Sequence, residues 1–410
     1  MRIAFVIPWY GKDISGGAEA ACRGLAHGIQ KLKPEVEVEV ITTALKEFAT
    51  DWNSNLYAEG TYDDEGIPVH RFKAEPVRRN LFHRMNAGKL MPQTVSDLWR
   101  DGKPFSPLSR LGERFYIHHM VHSKTLYRYL VRAQDSYDFF IFIPYMFGTT
   151  YRGSLLVKDK AIVIPCLHNE RYAYMRLYRK MMSSARGVLF HVAAEQRLAN
   201  RLYDIPGDKQ LLLGAMVDVN PPNGDEHRFR KKYGIDSEFI LYAGRKVVGK
   251  GLPTLVDCFK KCKASSHQGR DVKLVIIGKG DLHYPPDENP DVIDLGFVSL
   301  QDKYDAYRAA TALCQPSLME SFSIVLMEAW LQETPVLVPD MCEATRDHCQ
   351  ASGGGLVYSD DATFQECLES ILKNSEKRKT MGQKGRRYVL ENYSPEIIVN
   401  KLIDFLDSLR

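Results

Sequence analysis

The chain has 410 residues, of which 44% are hydrophobic and 26% are charged, and its formal net charge is +4. This length predicts two globular domains of about 200 residues each. The longest apolar run, Phe139 to Phe147, is too short to cross a bilayer, and the N-terminal residues lack the cleavage site of a signal peptide. The eight cysteines follow no disulfide or zinc spacing, so we expect reduced, mostly buried thiols in a cytoplasmic protein.

The first half of the chain alternates short apolar runs with helical patterns, which is typical of a parallel sheet covered by helices. Its first strand leads through a glycine-bearing loop into a helical pattern from Ala18 to Leu32. On its own, the Gly16-Gly17 pair in this loop indicates a tight turn as readily as a ligand site. The predicted strands are Arg2 to Pro8, Val36 to Thr42, Ile67 to Phe72, Phe139 to Pro144, Ala161 to Pro165, Gly187 to Val192 and Leu211 to Leu213.

Residues 78–132 form a basic segment with 11 Lys and Arg residues against three acids, a net charge of +8 before histidine is counted. Periodicity is weak as far as Glu113, and one continuous helix is predicted from there to Leu130. Apolar and aromatic residues are interleaved with the charges. Two interpretations stay open, a solvated insertion or a surface that contacts an anionic membrane. No known nucleic-acid module appears, so we expect no nucleic-acid partner.

A histidine, His168, follows the predicted strand that ends at Pro165. Open α/β sheets bind ligands outside the carboxyl ends of their strands, so His168 is a candidate for a binding cleft. A surface or capping histidine is the alternative.

Proline and glycine residues between 219 and 237 indicate a linker, after which a second set of strands begins. Glycine turns end two of these strands, at Gly278 and Gly296. The predicted class is therefore α/β, with a first domain over residues 1–219, a second over 220–392 and a C-terminal helix over 393–410. The predicted strands of the second domain are Phe239 to Ala243, Lys273 to Ile277, Val292 to Leu295, Ala312 to Cys314 and Val336 to Val338.

The loop from Gly244 to Gly251, GRKVVGKG, carries Arg245 and Lys250 directly after a predicted strand. A glycine-rich turn of this kind suits a diphosphate, because arginine offers a planar fork of donors and lysine a point charge. A solvated charged turn is the alternative.

The stretch after the predicted strand Ala312 to Cys314 holds two glutamates, Glu320 in a polar turn and Glu328 on the following helix. The backbone amides from Ser321 to Ile324 lie at the N-terminus of that helix, where phosphates bind readily. A carboxylate at Glu328 can accept both hydroxyls of a ribose. Acids also favour helix starts for dipole reasons, so a solvated helix start is the alternative.

The two motifs, GRxxxxKG at Arg245 and Lys250 and PSxxESF with Glu320-x7-Glu328, resemble the retaining family 4 glycosyltransferases of the GT-B fold. The likeness covers nearly the whole chain. It implies two Rossmann-like domains facing across a cleft, with the C-terminal helix crossing back to the first domain. It also implies a UDP- or GDP-sugar donor, a glycan or lipid-linked acceptor, and no metal or other cofactor.

The resemblance implies a role for each matching residue. Asn169 follows His168 where the relatives have aspartate, and two serines of the second motif, at 321 and 323, replace glycines. The implied catalytic residues are Glu320, His168, Arg245 and Lys250. The implied donor-binding residues also include Gly16, Gly17, Gly244, Gly278, Val298, Ser321, Phe322, Ser323, Ile324 and Glu328.

We therefore expect a retaining, metal-independent glycosyltransferase of bacterial surface polysaccharide or lipopolysaccharide synthesis, either free in the cytoplasm or docked on the inner membrane face. Two other classes stay open. A sugar-nucleotide epimerase on the same fold would need acid–base carboxylates in the first domain, and none stands out. An inactive scaffold would have no need of Arg245, Lys250, Glu320 and Glu328 together.

Overall fold

The computed structural model describes residues 1–12, 14, 16–48, 50–77, 109–265, 271–288 and 290–410. These residues form two compact units. The first unit consists of Met1–Met216 together with Glu396–Arg410, and the second consists of Val217–Pro395.

The sheet of the first unit has eight strands within the described residues. They are β1 (Arg2–Val6), β2 (Glu37–Thr43), β3 (Gly60–Asp64), β4 (Ile67–Phe72), β5 (Phe139–Phe142), β6 (Ala161–Val163), β7 (Gly187–Phe190) and β8 (Gln210–Leu212). Their spatial order is β3-β4-β2-β1-β5-β6-β7-β8, and all pairs are parallel except β3 with β4. The central strands are continuous apolar runs because both faces of a parallel sheet are covered.

The hairpin strand β3 was not predicted from the sequence. Its residues, GTYDD, carry no apolar run and are mostly exposed. The turn that joins it to β4 has positive φ at both Glu65 (55°) and Gly66 (91°). Such a turn matches the twist of a two-stranded hairpin, so turn geometry rather than core burial holds this edge strand.

Six helices of the first unit precede its last strand or pack beside it. They are α1 (Gly17–Leu32), α2 (Ser109–His118), α3 (Lys124–Ala133), α4 (Gly148–Leu156), α5 (Arg176–Ser184) and α6 (Ala193–Leu202).

The single helix predicted from Glu113 to Leu130 is wrong, because α2 and α3 are separated by residues 119–123. The hydroxyl of Ser123 accepts a hydrogen bond from the Leu126 amide at 3.2 Å and so caps the start of α3. The carbonyl of Val121 accepts instead from the amide of Thr149, outside any helix. The part of the basic segment at 78–108 lies outside the described residues.

The second unit has six parallel strands within the described residues. They are β9 (Phe239–Ala243), β10 (Lys273–Ile277), β11 (Val292–Gly296), β12 (Ala312–Cys314), β13 (Val336–Pro339) and β14 (Gly355–Tyr358). Their order is β11-β10-β9-β12-β13-β14. Strand β14 was not predicted from the sequence, since this edge strand has only four half-buried residues and its first residue, Gly355, is the last of three consecutive glycines. The α/β class predicted from the sequence is confirmed in both units.

Eight helices remain within the described residues; seven lie in the second unit, and the last one, which ends the chain, lies in the first unit from Glu396 onward. Its residues Ile398, Val399, Leu402 and Leu406 are buried in the first unit. The eight helices are α7 (Glu226–Tyr233), α8 (Leu252–Ser265), α9 (Leu300–Ala309), α10 (Ile324–Leu331), α11 (Glu343–Ser352), α12 (Asp361–Lys373), α13 (Ser375–Asn392) and α14 (Pro395–Ser408).

Trp330 of α10 lies at the centre of packing in the second unit. The side chain is fully buried, and its indole nitrogen donates to the Gly354 carbonyl at 2.9 Å. A Cβ at Gly385 would collide with its ring, so α13 approaches α10 closely only because this residue is glycine. The position of α10, which begins at the second predicted motif, is thereby fixed.

Two findings bear on the exclusions made from composition. All eight cysteines are free thiols and seven of them are buried, as predicted. In the ranges that the structure describes, no helix is both long enough and apolar enough to cross a membrane.

Candidate functional site

Two loops at the carboxyl edge of the second sheet meet through an ion pair. Strands β9 and β12 are adjacent and parallel, with Leu241 opposite Leu313, so the loops that leave them lie side by side. The ammonium nitrogen Nζ of Lys250 is 2.7 Å from Oε1 of Glu320. Only 11% of the Glu320 side chain is exposed, compared with 25% for Lys250. The structure thus brings together one residue from each predicted motif.

The loop after β9, residues 244–251, is called the basic loop below; a glycine lets it approach the second loop, which follows β12 and carries Glu320. A short turn over Val248–Lys250 ends at Gly251, which has a φ of +73°. A Cβ on Gly251 would lie 2.5 Å from the carbonyl oxygen of Pro316, at the start of the second loop. The Arg245 side chain is exposed on this loop, and its carbonyl accepts from the Tyr242 hydroxyl at 2.7 Å.

A buried ion pair lies beneath the loop and was not predicted. Lys246 is 3% exposed, and its Nζ is 3.0 and 2.9 Å from the two carboxylate oxygens of Asp294 on β11. The Lys246 amide donates to the Lys279 carbonyl at 2.7 Å, which ties the loop to the end of β10. Breaking a buried pair leaves an uncompensated charge, so this pair fixes the backbone that carries Arg245.

The glycine turn after β10 also approaches the basic loop. Gly278 has a φ of +142°, and a Cβ there would collide with the carbonyl of Gly244. After β11, Val298 is half-buried, and Phe297 beside it is 70% exposed. The ammonium of Lys279 lies 4.1 Å from the Phe297 ring centre, a cation–π distance.

The second loop enters α10 through a strained residue. Ser323 is in the left-handed region, with φ 70° and ψ 75°, immediately before the helix begins at Ile324. Its hydroxyl oxygen is buried and finds no hydrogen-bond partner among the described residues. The Phe322 ring packs against His348 and Tyr393, with centroid distances of 5.0 and 4.9 Å. Phe322 therefore anchors the loop in the core, directly before the helix start.

Glu328 is held from a neighbouring helix. Its Oε1 accepts from Nζ of Lys303 at 2.6 Å, and its Oε2 accepts from the Tyr307 hydroxyl at 2.8 Å. Burial and the charge of Glu328 raise the pKa of Tyr307 well above its ordinary value, so the phenol stays a donor. Each carboxylate oxygen has two lone pairs, so Glu328 retains capacity for two further donors.

The sequence missed Lys303 and Tyr307. Their spacing of four residues places them on one face of α9, and that pattern is visible in the sequence. Nothing in the pattern shows that this face meets Glu328, because the contact joins residues 25 and 21 positions apart.

Two predicted residues of the first unit, Gly16 and Gly17, start α1. Gly16 has extended backbone, and a Cβ on it would collide with the Glu19 carboxylate. The same carboxylate accepts a hydrogen bond from the indole of Trp9. This arrangement makes the turn before α1 tight, as the sequence allowed.

The third predicted residue of the first unit is His168. It is half-buried, and its Nδ1 lies 3.8 Å from Oε1 of Glu170, which also accepts from the Tyr145 hydroxyl at 2.8 Å. The preceding residue, Leu167, donates its amide to buried Glu195 at 2.6 Å. Glu195 was not predicted as a functional residue, yet it positions the backbone that leads into His168.

Glu195 has a perturbed acidity. Burial raises its pKa to about 7, although the amides of Leu167 and His191 and the charge of His168 act in the opposite direction. In the described part of the chain, no cluster of three or more His, Cys, Asp or Glu side chains is placed to hold a metal ion.

Comparison with protein families and known sequences identifies relatives. The family model described as "Glycosyl transferases group 1" matches residues 225–388, which include both motifs of the second unit. The uncharacterized glycosyltransferase MJ1607 of Methanocaldococcus jannaschii is 32% identical over 356 residues, covering 82% of this chain and 80% of the relative. The capsular polysaccharide biosynthesis glycosyltransferase CapM of Staphylococcus aureus is 28% identical over 190 residues, 43% of this chain and 49% of CapM. The chain thus aligns with about half of the length of CapM.

A solved structure shows the same fold. The crystal structure of Anabaena Alr3699/HepE in complex with UDP and glucose superposes with a TM-score of 0.67 at 15% identity, covering 100% of both chains. At this identity the similarity establishes architecture alone. The predicted GT-B fold class is confirmed.

Proposed function

Because the chain belongs to the group 1 glycosyltransferases, we propose that it moves a sugar from a nucleotide diphosphate sugar to a hydroxyl of a glycan or lipid-linked acceptor. In this proposal the transfer retains the anomeric configuration, needs no metal ion and serves surface polysaccharide or lipopolysaccharide synthesis. CapM, a relative named for capsular polysaccharide biosynthesis, and the UDP-bound structure of HepE support the class of donor and product.

The observation that carries the proposal is the contact between Lys250 and Glu320. It sets a phosphate-binding cation and a carboxylate acceptor one hydrogen bond apart, at 2.7 Å, where β9 and β12 end. A donor sugar presents the same two chemistries in neighbouring groups, a diphosphate and a ring of hydroxyls. Lys250 would take the diphosphate, and Glu320 would accept from the hydroxyls of the transferred sugar.

The departing diphosphate needs compensation for its charge. Arg245 and Lys250 supply two cations from one loop, and the amides from Ser321 to Ile324 supply the positive end of α10. The buried hydroxyl of Ser323 is a further donor for a phosphate oxygen. Gly244 and Gly278 keep this approach clear of side chains.

The nucleoside would lie beyond the diphosphate. Glu328, oriented by Lys303 and Tyr307, would accept both ribose hydroxyls with its remaining lone pairs. Main-chain groups at Val298 would hold the base. From the first unit, Gly16, Gly17 and His168 would contact the donor phosphate, the transferred sugar or the acceptor.

The reaction exchanges one bond for another at the anomeric carbon. The bond from that carbon to the diphosphate oxygen breaks, and a bond to the acceptor oxygen forms on the same face of the sugar. The proton of the acceptor hydroxyl passes to the departing diphosphate, whose charge Arg245 and Lys250 stabilise. The groups of the site act by placing charge where it develops in the transition state.

The first experiment measures thermal unfolding with UDP, GDP and dTDP in the wild type and in Lys250→Gln. One nucleotide should stabilise the wild type by about 2.7 kcal/mol at a hundredfold excess over its Kd, and this gain should shrink in the variant. Glu226→Gln, which changes a surface charge of the second unit, should respond like the wild type. No response to any nucleotide would overturn the proposal.

Turnover tests the finer parts. With the matching sugar nucleotide, EDTA should leave nucleotide release unchanged, and NMR of the product should show the anomeric configuration of the donor. Activity that is lost in EDTA and restored by Mg²⁺ would overturn metal independence. Formation of an epimer of the donor sugar in the absence of an acceptor would instead identify an epimerase.

A further inference from the structure

The first unit contains a cavity that is lined by none of the residues assigned to the donor or the acceptor above. A cavity of about 850 Å³ lies among α2, α4 and α5. This volume is within the range of roughly 300–1,000 Å³ typical of small-molecule sites.

Most of the cavity wall is apolar. Phe115 and Ile117 line it from α2, Tyr151 lines it from α4, and Leu177 lines it from α5. Ile117 is 4% exposed, so this part of the wall belongs to the packed core and is preformed. An apolar wall of this kind favours a hydrocarbon group over a sugar or a free ion.

Cations surround the apolar wall. Arg114, Arg152, Arg176 and Lys180 all line the cavity, and within the described residues none of the four forms an ion pair with an acid. Burial and the charge of Arg152 lower the pKa of the neighbouring His118, which favours its neutral form. Among the described residues, the cavity therefore carries an excess of positive charge that no acid pairs with.

The one acid that the structure describes in the wall is already engaged. Glu113 is 6% exposed, and its two carboxylate oxygens accept from the amides of Arg176 and Leu177, each at 3.1 Å. These bonds satisfy the first amides of α5 and turn the carboxylate toward the helix start. Glu113 thus fixes the position of Arg176 rather than neutralising the cavity.

We propose that this cavity binds a phosphate monoester with a single apolar tail, of the alkyl or isoprenyl phosphate class. The phosphate would pair with the cations, where arginine gives bidentate hydrogen bonds, and the tail would cover the apolar wall. A phosphate carries up to two negative charges, which four cations can compensate, whereas a carboxylate carries one. The inference goes beyond the proposed function, since binding involves no residue of the donor site and no sugar nucleotide.

The first test titrates the full chain with hexyl, octyl, decyl and dodecyl phosphate below their micelle concentrations, by calorimetry. Affinity should rise about fourfold per added methylene until the cavity is filled, and then level off. Inorganic phosphate should bind at least a hundredfold more weakly than decyl phosphate. Affinity that does not depend on tail length, or equal binding of decyltrimethylammonium or decanoate, would overturn the proposal.

Variants locate the binding. Arg176→Gln and Lys180→Gln should each weaken decyl phosphate binding about tenfold or more. Arg179→Gln is the matched control, because Arg179 lies on the same helix, is exposed and pairs with Asp204 at 3.4 Å without lining the cavity. Its affinity should stay within about twofold of the wild type. Equal losses in all three variants would overturn the assignment to the cavity.

Two further arms separate the possible outcomes. Phosphatidylcholine vesicles with and without phosphatidic acid test membrane binding. If the monomeric alkyl phosphates failed to bind while anionic vesicles recruited all variants equally, the protein would bind through surface charge only, and this result would overturn the proposal. The Leu177→Ser variant should reduce the gain per methylene while it leaves nucleotide binding unchanged. Nucleotide titrations of the same samples report on the donor site, so failure of either proposal is seen independently of the other.

Discussion

The ammonium of Lys250 lies 2.7 Å from Oε1 of Glu320, although the two residues are 70 positions apart in the chain. Each lies on a loop that leaves one of two adjacent parallel strands. The pair is largely shielded from water, so both side chains are oriented before any ligand arrives. In the proposed function Lys250 contacts the diphosphate and Glu320 contacts the sugar, so substitution of one should affect a different part of donor recognition from substitution of the other.

Glu320→Gln should lower turnover by about 10²- to 10³-fold while the Kd of the nucleoside diphosphate stays within about twofold, because Glu320 is proposed to contact the sugar. Lys250→Met should weaken the nucleoside diphosphate itself by about 10- to 100-fold, because it removes a charged partner of the phosphates. Calorimetric titration with the diphosphate, together with steady-state kinetics, separates the two effects.

Lys261→Met provides the control for Lys250, since Lys261 is an exposed lysine of the same unit, paired with Asp361. It should bind and turn over like the wild type. If Glu320→Gln weakened the free diphosphate as much as Lys250→Met does, the division of roles between sugar and phosphate would be wrong.

Glu328→Gln should reduce the preference of the protein for a ribose over a deoxyribose. The wild type should bind the matching nucleoside diphosphate about 10- to 100-fold more tightly than its 2′-deoxy form, since the hydroxyl donates to a carboxylate. The variant should lose most of this difference, because an amide oxygen is a weaker acceptor. Competition titrations with the two nucleotides measure the ratio.

Tyr307→Phe distinguishes orientation of Glu328 from contact with the ligand. It removes one hydrogen bond to Oε2 and should lower the unfolding free energy by about 1–3 kcal/mol. The ribose preference should fall by less than in Glu328→Gln. A full preference in Glu328→Gln would exclude the ribose role of this carboxylate.

The parts of the site that the sequence revealed are those fixed by strand ends. The order of strand, glycine loop and helix places Arg245, Lys250 and Glu320 on one sheet edge, because parallel strands share an edge for their carboxyl ends. No further information is needed for that inference. The alternation of apolar runs likewise predicted most buried strands.

The parts that the sequence did not reveal depend on which surfaces meet. In the sequence Lys246 looks like one more solvated charge of the loop, because nothing there shows that it pairs with Asp294 on β11. Strand β3 has no apolar run, since a hairpin turn holds it, and β14 is short and half-buried. The break before α3 depends on a capping hydroxyl at Ser123 within an otherwise helical pattern.

Gly251→Ala should destabilise the second unit by on the order of 2 kcal/mol or more and weaken nucleotide binding. A φ of +73° is unfavourable for alanine, and its Cβ would lie 2.5 Å from the Pro316 carbonyl oxygen. Gly249→Ala, in the same loop, meets no atom within 4 Å and should change the unfolding free energy by less than about 0.5 kcal/mol. Urea unfolding compares the two, and equal effects would contradict the role of the left-handed turn.

Glu39 provides a pH-dependent contribution to the stability of the first unit. It is buried on β2 and accepts from Nε2 of His70 at 2.8 Å and from Nε of Arg2 at 3.1 Å, as well as from the Tyr137 hydroxyl. Burial opposes ionisation of this carboxyl, but the hydrogen bonds from His70, Tyr137 and Arg2 prevail and lower its pKa to about 2.

Because the folded pKa of Glu39 lies below the unfolded value of 4.5, its contribution is present above about pH 4.5 and is lost as the pH falls toward 2. A difference of this size corresponds to about 3 kcal/mol at pH 7. Glu39→Gln should therefore be less stable than the wild type at pH 7, and urea unfolding across the pH range should show the difference shrinking below pH 4.5. Glu37→Gln, a change of the same charge on the same strand at a side chain that is 73% exposed, should follow the wild type within about 0.5 kcal/mol. A constant difference between Glu39→Gln and the wild type down to pH 2 would contradict this assignment, because the hydrogen bonds would then stabilise the protonated acid equally well.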